Sequence, residues 1–336
     1  MEQTAARVAD VAPTRPVRAG RLSVYVALTK TRLVMLVLFT TFTGFVVGSA
    51  DSVAWARLSW TLLGTALTAL GANALNQWLE RARDGRMSRT CRRPLPMRHV
   101  SPHEACAAGG LLVVLGPALL AATVGWLPAA LASVAALVYV CVYTPLKVRT
   151  PLCTLVGAIS GALPPLIGCA AATGRLDSGA WILGGILFVW QMPHFMALGW
   201  LFREDYARGG FRVLPAIDRS GRRTGLVALL YALALLPAGL AATFAGLGGW
   251  FYAVAALLLG AAMVLLGADL YRARTRAGAR RLFLASIVYL PFLLGCLLAD
   301  RGPVLRTVPA VGDMHRNASA QVRPAAPGAP PADGSS

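Results

Sequence analysis

Asn76, Glu80 and Asp84 follow one another at i, i+4 and i+8 where an apolar stretch runs out, in NQWLERARDGRMSRTCRRPLP, residues 76–96. On a helix, these three line one face and drift only modestly around it. Like charges four apart destabilise an isolated helix unless a cation sits between them. An oxygen-rich stripe of amide and carboxylates is what a hard divalent cation such as Mg²⁺ takes, and the negative end of the helix dipole adds to its pull. A second acidic pair, Glu204 and Asp205 in FREDYARGG, ends another apolar stretch, with Asp205 121 residues after Asp84. Each cluster leads into arginines and then Leu-Pro (Leu95-Pro96, Leu214-Pro215), a hint of weak internal duplication. A plainer account pairs Glu80 with Arg81 or Arg83 at a solvated helix end; the second cluster at the same end of another helix favours a metal.

The neighbouring arginines bear on what such a metal would hold. Seven fall between Arg81 and Arg98. Mg²⁺ usually bridges carboxylates to substrate phosphates rather than sitting in an all-protein cage. Arg89, Arg92 and Arg93, with Lys147 and Arg149 in TPLKVRTPL, share one membrane face and could clamp a diphosphate; Arg208 beside the second cluster is a further candidate. The plainer reading, that basic residues mark the cytoplasmic side or meet anionic lipid headgroups, suits Arg81, Arg98, Arg222, Arg223 and the five arginines between the last two spans, Arg272, Arg274, Arg276, Arg280 and Arg281. Acid for a metal and base for a diphosphate, both at the mouth of an apolar bundle, suggest an isoprenyl diphosphate with its tail in the bundle.

The elements that must position these groups are read from hydropathy. Hydrophobic residues make up 57% of the 336, charged ones 14%, and mean hydropathy is +0.61. A soluble domain of this size cannot bury so much apolar surface, so the chain reads as an all-α, polytopic integral membrane protein. Nine segments are long enough to span: 31–50, 58–79, 104–125, 127–146, 152–173, 179–202, 224–246, 249–271 and 281–299. Residues 1–22 read as a disordered arm, 23–300 as the transmembrane domain, and 301–336, ending PAAPGAPPADGSS, as a disordered tail. The arm does not have the pattern of a cleaved signal peptide.

The formal net charge of +18 is parcelled into loops, with no basic domain to grip a duplex, so no nucleic-acid partner is expected. The N-terminal arm and the even-numbered loops carry 26 Lys and Arg, the opposite loops only Arg57 and Arg175. By the positive-inside rule, the N-terminus is cytoplasmic and the C-terminus outside, in the cell inner membrane. Six cysteines show no C-x-x-C spacing, which argues against a disulfide framework or a zinc site.

The first motif resembles the leading signature of the UbiA superfamily of intramembrane prenyltransferases, commonly Asn-x3-Asp-x3-Asp. MSRTCRRPLP resembles the haem-farnesylating branch, as does WQMPHFMALGWLFREDYARGGFRVLP, whose second motif centres on Asp-Tyr; LTKTRLVMLVLFTTFTG and VYTPLKVRTPLCTLVGAISGALPPLIG extend the resemblance over most of residues 25–300. Glu80 stands where many members have Asp, and Ala82 where many have an acid. The resemblance implies two four-helix bundles plus one helix around a central cavity. It implies Mg²⁺ held by Asn76, Glu80, Asp84 and Asp205, and farnesyl transfer from farnesyl diphosphate to haem b, giving haem O. Haem b is then a substrate, membrane lipid the surroundings, and haem A synthase or terminal oxidase assembly the destination of the product. Tyr206, next to Asp205, would orient the diphosphate.

His194 and Pro193 in WQMPHF lie inside a span, His194 about ten residues, or ~15 Å, before its end. Pro193 should kink that helix and free a carbonyl, and Pro164-Pro165 should break an earlier one. His194 has three open roles: ligand to haem iron, general base toward water, or a structural partner of the backbone. Two other readings stand beside haem farnesylation: an aromatic acceptor such as 4-hydroxybenzoate, or a chlorin, and, outside enzymes, a transporter built on broken helices.

Overall fold

The computed structural model describes residues 21–49 and 52–300. The expected arm up to residue 20 and the expected tail over 301–336 lie outside the described residues. The described chain is helical, as apolar segments in lipid must be, because only a helix satisfies its own backbone. In order it forms α1 (Arg21–Leu28), α2 (Thr31–Gly48), α3 (Trp55–Asp84), α4 (Pro102–Thr123) and α5 (Trp126–Leu137). A π-helical turn, Val138–Tyr143, carries α5 into α6 (Thr144–Leu146). There follow α7 (Cys153–Thr173), α8 (Ser178–Leu201), α9 (Arg203–Arg208), α10 (Leu214–Ile217), α11 (Arg222–Phe244), α12 (Trp250–Ala273) and α13 (Arg276–Ala299). Among the described residues, nine helices are long and apolar enough to cross a membrane, taking Trp126–Leu146 as one.

Local chemistry sets the ends. Ser101 accepts from the Glu104 amide with Pro102 at the first helical position, and Asp177 and Thr275 cap α8 and α13 in the same way. Gly174 closes α7 at φ 75°, a left-handed conformation in which Gly carries no penalty. With 30 residues, α3 is about 45 Å long against a hydrocarbon core of about 30 Å, so it can deliver Glu80 and Asp84 to the rim.

Packing divides the spans into two groups. In one, α3 packs on α4, α4 and α7 on α5, and α2 on both α3 and α7; in the other, α8, α11, α12 and α13 pack together, and α7 and α2 bridge to α8. Glycine brings backbones close at these seams. A Cβ on Gly168 would lie 2.0 Å from the Thr41 carbonyl oxygen, and one on Gly44 2.1 Å from that of Pro165. Trp55, Trp126, Trp181 and Trp250 are exposed, each at or near the start of a helix on the face opposite the acidic clusters, as an interfacial aromatic belt requires.

Three expectations need correction. α7 runs unbroken through Pro164 and Pro165. The carbonyls those prolines leave without a donor are those of Ser160 and Gly161, residues that line a cavity. α8 runs through Pro193 and stops at Leu201, so His194 lies seven residues from its end rather than about ten. The second acidic pair therefore does not end a span; it sits on the separate short helix α9.

Candidate active site

One face of α3 meets three cations from three segments. Asn76, Glu80 and Asp84 are 0%, 5% and 1% exposed, so they do not form a solvated helix end. Lys30, in the left-handed conformation at φ 51° between α1 and α2, donates from Nζ to Asn76 Oδ1 at 2.7 Å. Lys147 Nζ lies 2.8 Å from Glu80 Oε1, and Arg93 reaches Asp84 Oδ2 at 2.7 Å. The anticipated pairing of Glu80 with Arg81 or Arg83 is not formed: Arg81 bonds the Trp78 carbonyl and Arg83 that of Gly209. Burial, with Arg93 and Lys147 close by, pulls the Lys30 ammonium down to about 7. Burial also works against a charged Lys147, but the Glu80 carboxylate more than offsets it and holds its pKa well above the ordinary lysine value.

The sequence around each partner explains its position. Gln77 donates from Nε2 to the Ala27 and Leu28 carbonyls, which pins the end of α1 and so the Lys30 backbone. Pro145 has no N–H for the carbonyl four residues back, and the chain widens there into the π turn. Thr144 Oγ1 donates to the Tyr139 carbonyl at 2.7 Å and accepts from Asn76 Nδ2 at 3.1 Å. That turn stacks Tyr139 on Tyr143 at 5.4 Å and sets Lys147 4.5 Å from the Tyr143 ring. Lys30, Gln77 and Thr144 were not identified from sequence. The available signal was the chemistry of LTKTR and VYTPLK: Lys30 and Lys147 are the chain's two lysines.

Tyr139 and Tyr143 also line a cavity of about 220 Å³ between α2, α3, α5, α7 and α8. Its wall is mostly small and apolar, including Ala69, Ala72, Ala132, Ala136 and Gly157, with Gln191 and Phe195 from α8. A chain of methylenes suits such a wall, and the basic rim suits an anionic headgroup.

The second cluster is built differently from the first. Asp205 takes the Ser88 amide at 3.2 Å and the Ser88 hydroxyl at 2.7 Å on Oδ1, and the Arg89 amide at 3.3 Å on Oδ2. Arg208 pairs with Oδ1 as well. Burial would raise the Asp205 carboxyl, but these hydrogen bonds prevail and hold it at about 2. Among the described residues, no group of three or more His, Cys, Asp or Glu gathers around one point, so Asp205 is not assembled with Glu80 and Asp84. The reason is local: α9 is separate from α8, and its carboxylate clasps the loop after α3. Arg89 donates to the Tyr206 hydroxyl at 3.2 Å and lies over Phe202 at 4.8 Å, while Tyr206 packs edge-on against Phe211. Arg149 is exposed and makes no ion pair among the described residues.

His194 does not face the 220 Å³ cavity. Its Nδ1 lies 2.8 Å from Ser286 Oγ on α13, and its ring stacks on Trp190 at 5.1 Å and leans on Phe283 at 5.0 Å.

Residues 37–294 match the UbiA prenyltransferase family, and the chain belongs to that family. It is 40% identical over 286 residues to the protoheme IX farnesyltransferase of Solibacter usitatus, a match covering 82% of this chain and 98% of the relative. The fold is similar to the solved structure of digeranylgeranylglyceryl phosphate synthase, with a TM-score of 0.71 at 14% identity, covering 83% of this chain and 98% of that one. It is also similar to a UbiA homolog from Archaeoglobus fulgidus bound to DMAPP and Mg²⁺, with a TM-score of 0.59 at 14% identity, covering 81% and 98%. The resemblance expected from the motifs is borne out.

Proposed function

We propose that residues 23–300 transfer the farnesyl group of farnesyl diphosphate to the 2-vinyl group of haem b, with addition of water, giving the hydroxyethylfarnesyl side chain of haem O. The observation that carries this reading is the row of three oxygen ligands on α3, each paired with a cation, beside an apolar cavity. Kinship with relatives named for this reaction selects the donor and acceptor.

A magnesium ion fits the donor set. Asp84 Oδ1 is buried and has no hydrogen-bond partner, a cost that a cation would remove, and all the nearby donors are hard oxygens. Asn76, Glu80 and Asp84 would hold it; Asp205 would join them by releasing its clasp on Ser88 and Arg89. Bound there, Mg²⁺ supplies neutralising charge and Lewis acidity to the leaving group.

The chain's own residues supply the rest. Lys30, Lys147 and Arg93 are within reach of diphosphate oxygens, with Arg89, Arg149 and Arg208 further along the rim and Tyr206 orienting Arg89. As the bond from C1 of the farnesyl group to oxygen breaks, diphosphate leaves with the electron pair. The faces of Tyr139 and Tyr143 stabilise the allylic cation, and the apolar lining offers few polar groups to hold water beside it. The vinyl π electrons then form the new carbon–carbon bond. Water adds to the resulting cation beside the porphyrin and loses a proton to solvent. His194, bonded to Ser286 and packed against Trp190 and Phe283 on the α8–α13 seam, suits the structural role among its three.

The N-terminus on the cytoplasmic side of the inner membrane is the orientation that the basic residues of the even-numbered loops favour by the positive-inside rule. The product would pass to haem A synthase or terminal oxidase assembly.

The test supplies membranes containing the chain with haem b, farnesyl diphosphate and Mg²⁺, and separates the extracted haems by liquid chromatography with mass detection. The expected product is heavier by one farnesyl group plus one hydroxyl group and vanishes with EDTA. A quinone precursor prenylated in place of haem would overturn the acceptor assignment.

A further inference from the structure

A second hollow, of about 560 Å³, opens beside the candidate active site and is unlike the apolar cavity in chemistry. Arg89, Arg203, Arg208, Arg274 and Arg276 line it, with Glu204 and Asp205 as its acids. Asp205 is consumed by Arg208 and the loop amides. Among the described residues, Arg203, Arg274 and Arg276 have no carboxylate partner. The floor is aromatic: Arg203 lies over Trp200 at 4.4 Å and Arg89 over Phe202 at 4.8 Å. The turn that joins α12 to α13 is held to the end of α8, because Trp200 Nε1 donates to the Arg274 carbonyl at 3.2 Å. Arg274 itself is left-handed at φ 51°, a conformation that costs a non-glycine residue and persists where surrounding contacts impose it.

From these observations, and resting on the reaction proposed above, we infer that this hollow is the seat of the acceptor's carboxylates, the two propionates of haem b. Arginine forks match carboxylates bidentately, and two carboxylates on one edge of a flat molecule need cations spread across a rim. The hollow lies where α8 meets α13, the same seam that holds His194 and Ser286 deeper in the bundle. Holding the carboxylate edge at the rim leaves the opposite edge of the porphyrin, which carries the vinyl groups, directed into the bundle. Arg89 ties the loop after α3 to this rim, since its amide bonds Asp205 and its guanidinium bonds Tyr206.

The test uses the full chain in phosphatidylcholine nanodiscs, with haem b and its propionate dimethyl ester titrated separately by absorbance. The Arg203→Gln/Arg276→Gln double variant is expected to bind haem b about 10- to 100-fold more weakly, as loss of charge-assisted hydrogen bonds implies. Wild type should lose a similar factor on the ester, and the variant should scarcely distinguish acid from ester. The KM for farnesyl diphosphate should be unchanged, and Arg276→Lys should recover part of the loss, which separates lost recognition from misfolding. A variant that still prefers the acid as strongly as wild type overturns the inference. So does an effect that appears only when phosphatidylglycerol is added, which would assign the arginines to lipid headgroups. Wild type that binds haem b through its carboxylates yet forms no farnesylated product would sink the proposed reaction and leave the pocket standing.

Discussion

Lys30 and Asn76, 46 residues apart in sequence, share a hydrogen bond of 2.7 Å at the base of the basic rim. The bond ties the end of α1 to α3 and brings a half-buried ammonium beside the donor row. Burial of a lysine is costly, so its removal should relieve the fold while harming the site. Lys30→Met is expected to raise the KM for farnesyl diphosphate about tenfold or more, as loss of a charge-assisted hydrogen bond implies, with thermal stability unchanged or higher. Substrate-saturation kinetics and a melting curve on the same preparation check both halves.

Asp84 pairs with Arg93 through Oδ2, while its buried Oδ1 has no hydrogen-bond partner and is the atom proposed for a metal. Asp84→Asn keeps the shape and removes the charge. Turnover should fall by about 10²–10³, the scale of several kcal/mol of Lewis-acid stabilisation. Titration of activity against Mg²⁺ decides the assignment: normal turnover at ordinary Mg²⁺ would refute it.

The Lys147–Glu80 pair is buried on both sides. Lys147→Met alone strands a carboxylate and should destabilise by about 3–5 kcal/mol, whereas Lys147→Met with Glu80→Gln should recover most of that loss. A double-mutant cycle of melting in detergent measures the coupling, and additive losses would count against it.

Two glycines make a matched test of packing. Gly168→Ala must drive α2 from α7, because the new Cβ meets backbone at 2.0 Å; overpacking of this kind costs about 1–3 kcal/mol. Gly110, in mid-α4, has nothing within 4 Å of its would-be Cβ. Gly110→Ala should be neutral or stabilise by up to about 1 kcal/mol through helix propensity. Equal effects in unfolding experiments would contradict the close α2–α7 seam.

Asp218 anchors the start of α11, accepting from the Thr224 amide at 2.8 Å and its hydroxyl at 3.0 Å. Burial would raise its carboxyl, but hydrogen bonds from Thr224 and Ser220 prevail and hold it below the ordinary aspartate value. A carboxyl depressed on folding contributes stability above its unfolded pKa of about 4, and that contribution is lost as pH falls below it. Asp218→Ala should therefore cost about 1–2 kcal/mol at pH 7. The gap from wild type should narrow below pH 4 in pH-resolved melting curves.

Much of this protein could be read from local chemistry. Hydropathy gave the nine spans, because each segment in lipid must satisfy its own backbone and needs no distant partner to do so. The i, i+4, i+8 spacing was enough to align Asn76, Glu80 and Asp84, since helix geometry alone fixes a shared face. Which cation meets which oxygen was not legible. Among the many basic residues of the even-numbered loops and the start of the chain, Lys30, Lys147 and Arg93 are selected only when α1, α6 and the loop after α3 converge on that face. The π turn at Pro145 and the departure of Asp205 from the end of α8 are likewise products of packing. Periodicity is a property of one segment. A buried charge must be compensated by whatever the folded chain brings within about 3 Å, and that depends on segments as far apart as Ser88 and Asp205, 117 residues in sequence.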